Sequence, residues 1–280
     1  MMISVRQATE ADIDACAQAM YIAFLTIDKR HHFSSYFTDL DHARMATQNL
    51  ITNDNIYGLV AEADGRVVAL AFMNEKRPIR AVGPVSVHPD FQNRGIGRKL
   101  MDMLLDRAND APSVRLTQDA FNTGSLALYT SLGFNTVEYL ALIQGKFKSQ
   151  APSDLKFRPV FKTDFDKCIA LCQKVVGFDR VPGNPIDMYC VIHNDRITAY
   201  TVDLSTDGYT LGETEADIQA LILNIAAKTS GELAFLVPTS YPNLLRWCLS
   251  EGMRITKPLN LMVKGEYQTP RGIYLPNLLY

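Results

Sequence analysis

The chain predicts two tandem α/β domains built on one plan, and three observations carry that expectation. Its 280 residues imply about two domains, each large enough for its own core. The sequence repeats: VRQATEADIDAC at 5–16 and FRPVFKTDFDKC at 157–168 share Arg, Asp, Asp and Cys at equal spacing, and SLGFNTVEYLALI at 131–143 parallels SEGMRITKPLNLM at 250–262. A period this long marks duplication of a whole domain, not a solenoid. Strand-like and helix-like patterns also alternate in the same order in both halves.

Taken in order, the first half reads as strand 3–8, helix 10–26, a short helix 39–52, and strands 56–63, 66–74 and 80–87. Asp64-Gly65 between two apolar runs signals a hairpin. Gly83-Pro84 removes a ladder donor from the third of these strands and signals a bulge. Helix 95–109 places Ile96, Leu100, Met103, Leu104 and Ala108 on one stripe and leaves Arg98, Lys99, Asp102 and Asp106 for water. Strand 113–119, helix 122–132 and closing strands to about 147 follow, with Asn122 as helix N-cap and Gly133 as stop. A polar linker, KSQAPSD at 148–154, leads to the second half. That half reads as helix 163–176, strands 187–192, 196–203 and 207–211, helix 214–229, strand 232–237, helix 241–250 and strand 254–264. It is shorter, mainly where the first copy has 27–50.

Residues 82–108, VGPVSVHPDFQNRGIGRKLMDMLLDRA, join an apolar strand to a helix through a basic, glycine-bearing turn. Asn93, Arg94, Gly95, Ile96, Gly97 and Arg98 gather backbone N–H groups at a helix N-terminus, where orphan donors and the positive dipole end favour an anion. Gly95 and Gly97 let a phosphate approach with no side chain in the way. The spacing Gln92-x-x-Gly95-x-Gly97 is neither the G-x-G-x-x-G of a Rossmann turn nor a P-loop.

It resembles the acyl-CoA pyrophosphate signature of the GNAT N-acetyltransferases. VRLTQDAFNTGSLALYTSLGF at 114–134 resembles the closing motif of the same family, in which an Asn at the helix start and a Tyr within the helix face the cofactor; these match Asn122 and Tyr129. Without the family, Asn122 reads as a helix cap and Tyr129 as a half-buried aromatic. The resemblance implies an α/β fold of two tandem GNAT-like domains, each a mixed, mostly antiparallel sheet flanked by helices, with the fourth and fifth strands splaying to admit a pantetheine arm. It assigns 1–148 to a catalytic domain and 155–280 to a degenerate one, structural or on the substrate side. In the second copy, Gly212-Glu213-Thr214-Glu215-Ala216-Asp217 replaces the glycine turn with three carboxylates that repel a pyrophosphate, and Tyr241 and Cys248 stand where Asn122 and Tyr129 do.

By that resemblance the cosubstrate is acetyl-CoA, bound by Val85, Val87, Gln92, Asn93, Arg94, Gly95, Ile96, Gly97, Arg98, Asn122 and Tyr129. The reaction is direct transfer of an acetyl group to a primary amine, of a small molecule, in a ternary complex. A main-chain N–H near Val87 polarises the thioester carbonyl, and Tyr129 protonates the departing thiolate. The base that relieves the ammonium of its proton is not legible: Glu75 and Asp119 end strands near the expected slot but read better as solvated carboxylates, and His88, a third candidate beside the phosphate turn, reads better as an exposed residue before Pro89. His31, His32 and Tyr36 lie in the segment missing from the second copy, a substrate-side cover or a plain connection. Arg77 and Arg80 flank the fourth strand and read as surface arginines or as partners for a substrate carboxylate. The alternatives are a non-catalytic acyl-CoA sensor and a protein or peptide N-acetyltransferase.

A net charge of −2 provides no field for nucleic acid, and no apolar run reaches a membrane span, so neither is expected as a partner. The N-terminal MMISVRQATEADID carries no apolar leader, which places the chain in the cytoplasm by default. Five cysteines without a C-x-x-C pair argue against a disulfide framework. A metal site at Cys168, Cys172, Cys190 and His193 is the weaker reading beside buried, small apolar thiols, and no metal is expected. Oligomeric state is not legible.

Overall fold

The computed structural model describes residues 2–76, 78–151, 156–180 and 188–279. It divides into two compact units: one holds residues up to Thr136 with Leu261–Glu266 and Leu279, the other Val137–Asn260 and Tyr267–Leu278. The division falls near Thr136 and not at the linker, of which 152–154 lie outside the described residues. Among those described, no helix is long and apolar enough to cross a membrane.

In the first unit, β1 (Ile3–Gln7) leads through a 3-10 turn into α1 (Ile13–Arg30), and α2 (Leu40–Ile51) packs beside it. Arg6 grips the Asp12 carboxylate through two 2.7 Å hydrogen bonds, tying strand end to helix start. Strands β2 (Ile56–Ala63), β3 (Arg66–Asn74) and β4 (Ile79–Val87) continue the sheet antiparallel. Asp64 and Gly65 both take positive φ at the β2–β3 turn, as the hairpin signal required. β4 spends one more residue than β3 across Gly83-Pro84, so the expected bulge is present. Helix α3 (Ile96–Arg107) then crosses over to β5 (Ser113–Asp119), parallel to β4, and α4 (Thr123–Ser131) follows. On α3 the buried stripe is Ile96, Leu100, Met101 and Leu104; Met103 is partly exposed, so Met101 takes the place expected for it.

The second unit repeats the plan. β7 (Lys156–Pro159), α5 (Phe165–Val176), β8 (Tyr189–His193), β9 (Arg196–Thr201) and β10 (Thr210–Gly212) precede α6 (Glu215–Ala226), β11 (Leu233–Pro238) and α7 (Pro242–Ser250). Arg158 binds Asp164 at 2.7 and 3.1 Å, as Arg6 binds Asp12, and Cys168, like Cys16, is buried behind the pair. All five cysteines are buried thiols outside any disulfide.

The closing strands depart from expectation. The strand after α4, β6 (Asn135–Gly145), runs from Val137 within the second unit, antiparallel to β11. The strand after α7, β12 (Arg254–Gly265), ends in the first unit beside β5, with Met262 in its core and the Glu266 N–H on Pro112 O at 2.9 Å. Each unit is thus closed by the strand that follows the other copy. The two strands are equivalents in the repeat, so local pattern does not distinguish them. A strand absent from the sequence reading, β13 (Ile273–Leu275), pairs antiparallel with β10 in the second unit.

Candidate active site

The first unit contains an open cleft of about 640 Å³. It begins where pairing stops: β4 and β5 are bonded only over Ile79–Ala81 and Ser113–Arg115, and beyond that each strand continues without the other. The His88 N–H bonds Val68 O on β3. Backbone direction alternates along a strand, so the N–H groups of Val85 and Val87 face the side where β5 has departed. Gln92 Nε2 occupies the Val87 carbonyl at 3.0 Å, which holds the turn against the strand and leaves the Val87 N–H directed into the gap.

The turn before α3 is built from two left-handed residues, Asn93 (φ 61°) and Gly95 (φ 78°), the latter as N-cap. No side chain caps this helix and its first turn carries no acid, so its leading N–H groups face the cleft without a carboxylate of their own. At Gly97 a Cβ would lie 3.4 Å from Leu128 and 3.7 Å from Val87, both cleft residues; hydrogen there keeps the wall open. Arg98 lines the same wall and donates to the Ser131 hydroxyl.

Across the gap, Asn122 lines the cleft and also caps α4, its Oδ1 accepting the Ser125 N–H at 3.2 Å. Tyr129 reaches the cleft from the same helix although the residue is only 8% exposed. Burial, then the charge of Asp119, raises its phenol above the ordinary value, so it remains protonated at neutral pH. Asp119, the last residue of β5, is the only carboxylate lining the cleft among the described residues, and Tyr36 donates to its Oδ1 at 2.6 Å. The remaining wall comes from the end of α1, including Phe24, Ile27, Arg30 and His31.

Of the residues expected at the site, Val85, Val87, Gln92, Asn93, Gly95, Ile96, Gly97, Arg98, Asn122, Tyr129 and Asp119 meet in this one cleft. Arg94 does not line it: the side chain folds back over the Phe91 ring and donates to Asp90 O at 2.9 Å. Glu75 does not line it either, being held by Arg107 through bonds of 2.8 and 2.9 Å. His88 sits at the start of the following turn, outside the cleft lining, and Arg80 pairs with Asp110 at 3.6 Å. Arg77 lies outside the described residues. His31 of this wall lies in the segment read as a substrate-side cover or a plain connection; Phe24, Ile27 and Arg30 were not singled out in the sequence, because helical spacing looks the same whether a position faces a core or a cleft.

The corresponding place in the second unit is filled by the chain itself. Thr214 caps α6, and the buried Asp217 carboxylate accepts from Thr214 at 2.6 Å and Thr198 at 2.7 Å over the helix start. β13 pairs with β10 on the side away from β9. The Tyr241 hydroxyl binds this strand, donating to Gly272 O at 3.0 Å and accepting from the Tyr274 N–H at 3.2 Å. Cys248 is buried in the core.

A sequence model of the Acetyltransferase (GNAT) family matches residues 21–134, the span that contains every cleft residue. The L-amino acid N-acyltransferase MnaT of Escherichia coli (strain K12) is 30% identical over 157 residues, covering 52% of this chain and 87% of that protein. A ribosomal protein bS18-alanine N-acetyltransferase of Salmonella typhimurium is 39% identical over 75 residues, 26% of this chain; the match spans about half, 51%, of that relative's length. Among solved structures, a putative acetyltransferase from Pyrococcus horikoshii shares the fold along nearly the whole chain, with a TM-score of 0.73, 13% identity, and coverage of 97% of this chain and 94% of that one.

Proposed function

This chain belongs to the GNAT acetyltransferase family, and we propose that it transfers an acetyl group from acetyl-CoA to a primary amine of a small molecule, directly, with both substrates in the cleft of the first unit. The observation that carries the reading is the uncapped, acid-free start of α3 beside a β4 edge whose Val87 N–H faces the same gap. The first feature suits a pyrophosphate and the second an oxyanion, and the missing Cβ at Gly97 is the clearance the phosphate needs.

The residues divide the proton work. An acceptor amine arrives as an ammonium and gives one proton to Asp119, which passes it to solvent. The freed lone pair forms the N–C bond to the thioester carbonyl carbon, the oxyanion resting on the Val87 N–H. The C–S bond then breaks with its electron pair going to sulfur. Sulfur takes the Tyr129 proton, and the second nitrogen proton replaces it as the amide forms, so one proton in total reaches solvent. A raised phenol is a weak acid toward a thiolate, whose ordinary pKa is roughly 8.5. Burial, the larger cause of that rise, and then the charge of Asp119 keep the phenol protonated until the thiolate forms.

The second unit serves a structural or substrate-side role without acetyl-CoA. Support comes from Asp217 over the start of α6 and from β13 beside β10. The small-molecule acceptor draws on the name of MnaT, which matches over most of its length. An acceptor screen with acetyl-CoA tests the reading by following free CoA over amino acids, polyamines, aminoglycosides, arylamines and peptides. Turnover on a small amine is expected. Turnover confined to peptides or folded proteins would move the assignment to a protein N-acetyltransferase, and binding without turnover to a sensor.

A further inference from the structure

We infer that Tyr36 is a positioning residue for acyl transfer, acting by fixing the orientation of the Asp119 carboxylate. The inference rests on the acetyltransferase reading of the cleft. Asp119 ends β5 beyond the last β4 partner, so its side chain stands where the sheet no longer restrains it on that side. A hydroxyl 83 positions away in sequence reaches it at 2.6 Å, from the segment between α1 and α2.

That hydroxyl is itself held. The Tyr36 ring meets Phe24 edge-on at 5.7 Å, and Phe24, which lines the cleft, meets Phe37 at 5.6 Å. Phe33 from the same segment stacks on Phe121, two residues past Asp119, with centroids 4.3 Å apart. The segment is thus clamped to the end of β5 by both a ring stack and a hydrogen bond. Burial first, then the charges of Asp119 and Asp28, hold the Tyr36 phenol well above its ordinary range, so it stays a donor. By donating to Oδ1 it restricts rotation of the carboxylate at the mouth of the cleft.

The second copy supplies an internal comparison. β5 ends in Asp119, β11 ends in Pro238, and the stretch that carries Tyr36 is the one the second copy lacks. Donor and acceptor are therefore absent together from the unit whose slot is filled, as expected of two residues that serve one cleft.

The test is a double-mutant cycle on the full chain, with Tyr36→Phe, Asp119→Asn and the pair, measured as CoA release on the best acceptor of the screen and as acetyl-CoA affinity by calorimetry. Tyr36→Phe keeps the ring and removes one hydrogen bond. It is expected to lower kcat about tenfold, with acetyl-CoA affinity within twofold of wild type. Asp119→Asn should lower kcat by about 10²-fold or more, and adding Tyr36→Phe to it should cost nothing further. An equal loss from Tyr36→Phe in both backgrounds would mean a structural role and overturn the inference, as would full kcat in the single variant. If Asp119→Asn does not fold, Asp119→Ser takes that corner of the cycle. A wild-type chain that binds acetyl-CoA but turns over no acceptor fails the acetyltransferase reading, and the inference falls with it; turnover with an additive cycle fails the inference alone.

Discussion

Replacing Gly97 with Glu should abolish acetyl-CoA binding without unfolding the protein. The position lies in the first turn of α3, and a Cβ there has ordinary contacts, 3.4 Å to Leu128 and 3.7 Å to Val87, so the side chain runs along the cleft wall. Removing a helical glycine and adding an acid to the first turn each favour folding by roughly 0.5–1 kcal/mol. Against a phosphate the same carboxylate is repulsive: like charges about 4 Å apart at an effective dielectric near 20 cost about 4 kcal/mol before screening. A net loss of about 2–4 kcal/mol corresponds to a roughly 30- to 1000-fold weaker Kd. Calorimetric titration should give one acetyl-CoA per wild-type chain and none for Gly97→Glu, while the melting temperature holds or rises. Gly97→Gln, nearly the same shape without the charge, should retain more affinity than Gly97→Glu. Undiminished affinity in Gly97→Glu, or two equivalents bound by wild type, would refute the placement of the phosphate site.

Gly95→Ala should destabilise the fold by about 1–2 kcal/mol in urea unfolding, because φ is 78° although no atom lies within 4 Å of the new methyl; an unchanged midpoint would mean the left-handed conformation is not required. Asp12→Asn tests the anchor shared by both copies. The Arg6 hydrogen bonds, foremost, lower the Asp12 carboxyl from 3.8 to about 2, a depressed folded-state value, so its contribution is present above pH 4 and is lost as pH falls through about 2. With the Arg6 side chain 41% exposed, about 1–2 kcal/mol is expected at pH 7, shrinking to nothing in acid denaturation profiles. Glu75→Gln should leave kcat within twofold of wild type, since its carboxylate serves Arg107; a tenfold loss would return it to the list of bases.

The sequence by itself determined what short-range chemistry determines. Strands at 56–63, 66–74 and 113–119 appear with the bounds their patterns implied, because alternation, a positive-φ pair such as Asp64-Gly65 and caps such as Asn122 act over a few residues. The glycine turn was legible for the same reason, since a helix start with a left-handed glycine N-cap and no acid in its first turn is a local object. Duplication was legible through the Arg, Asp and Cys spacing that the structure resolves into two matching guanidinium–carboxylate anchors. Tertiary structure alone decided which strand closes which unit, because β6 and β12 carry equivalent patterns and a strand's partner is a matter of long-range pairing. It alone separated Asp119 from Glu75, two strand-end carboxylates whose difference is that one faces a gap and a tyrosine 83 residues away, and the other an arginine on α3. It alone put β13 beside β10, where a three-residue strand with no periodicity of its own acquires its place only from the edge it pairs with.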